Sequence, residues 1–91
     1  MLPVIWRPLA LESLDGIVEY IAPFNPRAAL DLTERIERTA QLLADHPYLG
    51  REGRIHGTRE LLPHPNYWLV YQVTVTCVEI LAVVHARRQY P

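Results

Sequence analysis

The sequence predicts an α+β domain, a small antiparallel sheet of about four strands packed against an N-terminal helical hairpin, in the order β-α-α-β-β-β. Three observations carry this. Apolar residues recur at spacings of three and four through the first half of the chain. Asn25-Pro26 interrupts that run with the chemistry of a turn and a new helix start. The second half changes to apolar alternation of period two in runs rich in β-branched and aromatic residues. The order strand, helix, helix, strand, strand, strand implies an α+β sheet packed on a helical hairpin.

Taken in order, Val4-Ile5-Trp6 is a short apolar strand ended by Pro8, and its flanking prolines, Pro3 and Pro8, place it near a sheet edge. Leu11, Leu14, Ile17, Val18 and Ile21 share one face of the first helix, with Glu12, Asp15 and Glu19 toward the other. Gly16 weakens this helix without ending it, and Pro23 stops it. Asn25 is the N-cap of a second helix, with Pro26 at its first position. That helix runs to about Asp45, with Ala29, Leu32, Ile36, Ala40 and Leu43 as its buried stripe and Asp31–Arg35 and Glu34–Arg38 as i,i+4 pairs. So short a turn makes the two helices an antiparallel hairpin.

His46-Pro47 closes the helical half, and Gly50-Arg51-Glu52-Gly53 reads as a loop. Three strands are expected after it, at Thr58 to Leu62, Tyr67 to Val75 and Val78 to Val84. In the middle one, Tyr67, Leu69, Tyr71 and Val73 face one way and Trp68, Val70 and Gln72 the other. The connection at Thr74-Val75-Thr76-Cys77 lacks the Gly or Asn that a two-residue hairpin usually requires.

At 91 residues the chain fits a single domain spanning 1–91, and its 49% hydrophobic and 21% charged residues exclude a disordered polypeptide. One cysteine, Cys77, rules out an internal disulfide framework and a cysteine-based zinc cluster. His46, His56 and His64 show no ligand spacing, so neither a metal nor another cofactor is expected. No apolar stretch approaches the roughly 20 residues that span a bilayer, and the start has no export signature, so a soluble, cytoplasmic protein is expected, with no membrane partner. The net charge of -1 argues against wholesale nucleic-acid binding, yet the charge is uneven: residues 1–45 hold four arginines against seven acids, and residues 46–91 hold five arginines, three acids and all four histidines. Every basic residue is arginine, which suits planar contact with phosphates or carboxylates as well as reflecting a simple composition bias.

Several segments then fall into a known order: Trp6 with Leu14-Asp15 and Tyr20-Ile21; Asn25-Pro26-Arg27-Ala28-Ala29; Gly57-Thr58-Arg59-Glu60-Leu61; Asn66-Tyr67 with Val70-Tyr71 and Val73; and His85-Ala86-Arg87-Arg88-Gln89-Tyr90-Pro91. Together they resemble the RelE/ParE superfamily, the toxins of type II toxin-antitoxin modules that serve plasmid stabilisation. The resemblance implies a sheet with a helical hairpin on one face, in agreement with the periodicity. It also implies a growth-arresting toxin neutralised by a cognate antitoxin, whose disordered segment wraps the groove between hairpin and sheet and which alone carries DNA contact. Two kinds of poison share this fold: ParE-type inhibitors of DNA gyrase, and RelE-type ribosome-dependent endoribonucleases that cut mRNA. A member that has lost toxicity and acts only as co-repressor with its antitoxin is a third possibility.

Metal-free RNA cleavage needs a group to activate the 2'-hydroxyl, cations for the phosphorane-like charge and an acid for the leaving oxygen. The candidate catalytic set is His85, Arg59, Arg87 and Tyr90, with His85 as acid or base, the arginines on phosphate and Tyr90 stacking or donating a proton. For a binding toxin, the candidate target contacts are Arg87, Arg88 and Trp68. Each has a plainer role: Arg59 as an edge salt bridge, His85 as a hydrogen-bonded strand end, Arg87-Arg88 as a solvated tail, and Trp68 and Tyr90 as cover for the sheet. Arg59 and Glu60, adjacent in a strand, point to opposite faces and cannot line one site. Trp68 stands where RelE-type nucleases carry a basic residue, Leu61 and Leu62 lie where more charge would be displayed, and the second helix is long. These three features favour the ParE-like branch.

Overall fold

The computed structural model describes residues 1–88 and 90. Strand β1 (Val4–Trp6) leads into helix α1 (Pro8–Ile21), helix α2 (Pro26–Leu42), and strands β2 (Arg51–Glu52), β3 (Arg59–His64), β4 (Tyr67–Val73) and β5 (Val78–His85). The strands form one sheet in the order β1-β5-β4-β3-β2. The α+β class and the hairpin-on-sheet layout are as the sequence predicts, and β1 does lie at an edge.

Two details of the sheet differ from the expectation. It has five strands rather than about four, because Arg51 and Glu52, expected in a loop, pair with Glu60 and Arg59. Their flanking glycines gave a loop composition that the tertiary pairing overrides. The sheet is also mixed, since β1 runs parallel to β5. These are the first and last elements of the chain, so no tight turn forces them antiparallel.

Pro8 both ends β1 and opens α1, where its missing N–H costs nothing. The buried positions of α1 are Ala10 and Leu14, with Ile17, Val18 and Ile21 half-buried beside them; Leu11, expected in this stripe, is exposed and Ala10 takes its place. At Asn25 the side-chain Oδ1 accepts the Ala28 N–H at 3.0 Å, the expected N-cap of α2. Helix α2 stops at Leu42 rather than Asp45 because its last turn tightens, the Leu43 and Ala44 amides donating to Ala40 and Gln41 at 3.1 Å. Of the i,i+4 ion pairs along α2, the described residues form Arg27–Asp31 at 3.2 Å and neither Asp31–Arg35 nor Glu34–Arg38. Asp31 is engaged one turn earlier, and pairs this exposed add little in any case.

Leu32, Ile36, Ala40 and Leu43 meet Tyr67, Leu69, Tyr71, Ile80 and Val83 to form the core between hairpin and sheet, and Ala29 is buried on the same stripe of α2. Each large apolar side chain buried there stabilises the fold by about 1.5–3 kcal/mol. The Tyr71 hydroxyl, inside this layer, donates to the Pro47 carbonyl at 2.8 Å and accepts the Gly50 N–H at 2.8 Å. It thereby pins the segment leaving α2. A Cβ at Gly50 would lie 2.7 Å from that hydroxyl and 2.8 Å from the Glu60 carbonyl oxygen, so only glycine allows the approach.

Strand β4 ends at Val73, two residues before the expected Val75, because Thr74 begins the turn into β5. Its Oγ1 accepts the Cys77 N–H at 3.0 Å, and its own N–H donates to the Cys77 carbonyl at 2.8 Å. A threonine hydroxyl thus does the closing that Gly or Asn would do by backbone conformation. A bulge at Leu81, between the pairs Tyr71–Ile80 and Val70–Ala82, shifts the register so that Val83 and His85 stay on the helix-facing side.

Candidate functional site

The alternation along β3, β4 and β5 sorts the candidate residues onto two sides of the sheet. On the helix-facing side, His85 ends β5 opposite Tyr67, whose ring it meets edge-on at 5.2 Å between centroids. Its Nδ1 accepts the Arg87 N–H at 3.1 Å, which leaves Nε2 to carry the proton of the neutral ring. His64 packs on the same tyrosine at 5.7 Å. A cleft of about 390 Å³ opens here between α1 and the sheet, lined by Gly16, Ile17 and Tyr20 from the helix and Tyr67, His85 and Arg88 from the sheet and its tail. Ser13 closes its inner end, its Oγ accepting the Val83 N–H at 3.0 Å, a strand amide that β1 is too short to reach. Burial, then the nearby Tyr20, raises the Tyr67 phenol above its usual pKa.

On the opposite, outer side stands a second cluster, centred on Glu60. Its side chain is 0% exposed. Oε2 accepts the Arg54 backbone N–H at 3.0 Å, and Oε1 faces Arg51 Nη2 at 3.3 Å and Arg54 Nε at 3.8 Å. The Arg51 guanidinium lies 4.4 Å from the centre of the Trp68 ring. Arg54 lies 5.7 Å from the same ring and 5.2 Å from that of Tyr90. Its Nη1 also donates to the Tyr90 carbonyl at 3.3 Å. The Tyr90 hydroxyl is buried and, among the described residues, without a partner of good geometry, the adjacent Thr58 hydroxyl being committed to the Ile55 carbonyl at 2.6 Å. Burial first, then the Glu60 charge, raises the Tyr90 pKa against the lowering effects of Thr58 and Arg54.

The four residues of the candidate nuclease set are therefore dispersed. His85 belongs to the helix-facing cleft and Tyr90 to the outer cluster. Arg59 sits on β3 opposite Tyr71, with Nη1 donating to the Gly50 carbonyl at 2.7 Å and its guanidinium 4.9 Å from the Tyr48 ring. Two strands and four residues separate it from His85, a span of roughly 16 Å. Arg87 is exposed in the turn after β5. Of the candidate target contacts, Arg88 is exposed at the cleft mouth, and Trp68 is half-buried under Arg51. Arg59 and Glu60 do face opposite ways.

Arg51 and Arg54 are absent from the candidates that the sequence suggests, and Glu60 enters there only as a neighbour of Arg59. The available signal was a lone acid heading a strand of leucines, Glu60-Leu61-Leu62, with two arginines six and nine residues before it. Among the described residues no group of histidine, cysteine, aspartate and glutamate side chains could hold a metal ion. No helix among the described residues is long and apolar enough to cross a membrane.

Comparison with known proteins adds what geometry does not. Residues 4–90 match the family model of the ParE toxin of the type II toxin-antitoxin system, parDE. The chain is 42% identical to "Putative toxin Y4kP" of Sinorhizobium fredii over 87 residues, covering 94% of this chain and 90% of that one. It is 36% identical to toxin RelE2 of Caulobacter vibrioides over 88 residues, covering 97% and 99%. Among solved structures it is similar to a chain of the chromosomal ParDE system from P. aeruginosa, with a TM-score of 0.83, 21% identity and coverage of 93% and 96%. The YoeB dimer of Staphylococcus aureus shares the fold more distantly, with a TM-score of 0.58, 15% identity and coverage of 89% and 92%. A match across nearly the whole length, with two relatives above 30% identity, establishes that the chain belongs to the ParE toxin family, within the RelE/ParE superfamily of type II toxin-antitoxin toxins.

Proposed function

We propose that this toxin arrests growth by binding and disabling DNA gyrase rather than by cutting RNA, and that a cognate antitoxin neutralises it by docking in the cleft between α1 and the sheet. The observation that carries the first part is the dispersal of His85, Arg59 and Tyr90 over two faces and two strands. General acid-base cleavage requires its groups within hydrogen-bond reach of one phosphate, and a span of roughly 16 Å across a packed sheet does not close by side-chain motion. On this reading the protein is not an enzyme, needs no cofactor, and Arg87, Arg88 and Trp68 are contacts for the target.

One observation favours the endoribonuclease reading: the outer cluster joins two guanidinium groups to two aromatic rings, chemistry that suits a phosphate and a stacked base. Its carboxylate is nevertheless fully buried and already faces three donors, so it has no open path to a 2'-hydroxyl.

The antitoxin part rests on the family and on the cleft. Exposed Tyr20 and Phe24, with ring centres 6.4 Å apart, continue its apolar wall beyond the helix end. Arg88 supplies a positive rim, which suits an amphipathic segment with an apolar anchor and an acidic neighbour.

Inducing the chain alone in bacteria is expected to stop growth with loss of supercoiling and a DNA-damage response, and co-expression of the antitoxin should restore growth. Codon-phased transcript cuts would support the nuclease instead. Unaffected growth with abundant soluble toxin would leave only the co-repressor role.

A further inference from the structure

We infer that Arg54 is a positioning residue that fastens the C-terminal tail to the outer face of the sheet, and so fixes the direction in which Arg87 and Arg88 are presented. This rests on the reading that those arginines meet the target, but its physical content is independent of which target that is. Three features converge on Arg54.

The first is the rigidity of its mount. The Gly53 N–H donates to the Thr58 carbonyl at 2.8 Å, and the Thr58 N–H to the Ile55 carbonyl at 3.1 Å. Gly57 takes the left-handed conformation at φ +84, and a Cβ at Gly53 would collide with the Thr58 hydroxyl. The loop carrying Arg54 is therefore closed on itself.

The second is the anchor beneath it. Buried Glu60 accepts the Arg54 backbone N–H and draws its Nε to 3.8 Å, so both ends of the residue are tied to one carboxylate. A planar guanidinium held at one edge keeps its other edge and both faces available in a fixed orientation.

The third is what those free surfaces hold. One Nη of Arg54 binds the Tyr90 carbonyl at 3.3 Å, and the guanidinium lies 5.2 Å from the Tyr90 ring and 5.7 Å from that of Trp68. The Ala86 amide binds the Asn66 carbonyl at 2.7 Å where β5 ends, and Arg54 holds Tyr90. Arg87 and Arg88 thus lie on a short span secured at both ends. Arg51 shares the carboxylate and the Trp68 ring but, among the described residues, neither hydrogen-bonds Tyr90 nor stacks on it, which makes it the natural control.

The test is the rate of trypsin cleavage after Arg87 and Arg88 in the folded chain, followed by intact mass. Arg54→Gln is expected to speed it at least tenfold, Arg54→Lys nearly as much because a point charge cannot reproduce the fork, and Arg51→Gln less than twofold. Tyr90→Ala should match Arg54→Gln, and the double variant should be no faster than either single one. The same pattern, without extra loss in the double variant, is expected in the potency of growth arrest. Thermal melts of every variant separate tail release from unfolding. Cleavage at the parent's rate in folded Arg54→Gln, or additive effects in the double variant, would overturn the inference. If the protease pattern holds but growth arrest is unchanged, the tail is positioned as inferred and the reading of Arg87 and Arg88 as target contacts fails.

Discussion

The two faces of the sheet are built from different interactions. The helix-facing side is an apolar layer of Leu69, Ile80, Ile36 and Leu43, all essentially without solvent exposure, and the Tyr71 hydroxyl within it is satisfied twice. The outer side also buries residues, Glu60 and Val70 among them, but beneath a loop and a tail held by charge and aromatic stacking. Stability and presentation are therefore separable in this molecule. Burial of apolar area is strong and indifferent to direction, whereas a carboxylate-guanidinium-aromatic arrangement is modest in energy and fixes orientation.

Truncating the helix-facing layer should do the most damage. Leu69→Ala is expected to destabilise the fold by about 2–5 kcal/mol through a buried cavity, measured by urea denaturation. A cost below that range would mean that this face is less dominant than its burial implies. Next comes Tyr71→Phe, which strands the Gly50 amide and the Pro47 carbonyl for a loss of about 1–3 kcal/mol. The segment after Leu42 should then exchange its amides faster than α2 does.

Gly16 gives a smaller change of opposite sign. It stands inside α1 with nothing within 4 Å of where a Cβ would lie, so Gly16→Ala should stabilise the toxin by about 0.5–1 kcal/mol. Gly16→Leu should fill the cleft, keep growth arrest and escape neutralisation by the antitoxin. Normal neutralisation of that variant would remove the cleft as the docking site.

The weakest response is to alkali. Burial raises the phenols of Tyr67, Tyr71 and Tyr90 above 10.0, so the unfolded chain loses those protons first as pH rises. Their contribution to stability is complete below about pH 10 and declines above it. Denaturation midpoints that stay level from about pH 9 into that range would contradict the assignment.

Much of this was legible in the sequence where local chemistry decides the outcome. Asn25-Pro26 specified the hairpin turn because an Asx cap followed by proline has few alternatives, and Ala29, Leu32, Ile36, Ala40 and Leu43 specified the buried stripe through their spacing. The alternation from Tyr67 to Val73 assigned both faces of β4 correctly, since a pleated strand leaves no other choice. What sequence could not show depends on contacts between distant segments. The two-residue strand β2 exists only because β3 offers an edge, and the parallel β1–β5 pair joins the two ends of the chain. The outer cluster assembles Arg51, Arg54, Glu60, Trp68 and Tyr90 from separate stretches of the chain, and the lone acid heading Glu60-Leu61-Leu62 marks only its centre. The same limit explains why His85 and Tyr90, close neighbours in one motif, look like a single group in the sequence although the sheet puts them on opposite faces.

Inhibition by occupancy rather than by chemistry can be measured by adding the purified chain to DNA gyrase and relaxed plasmid. Inhibition of supercoiling that saturates near one toxin per gyrase subunit and persists in His85→Ala is the predicted result. Full supercoiling at excess toxin, together with codon-phased mRNA cleavage in a translation extract that His85→Ala abolishes, would contradict it.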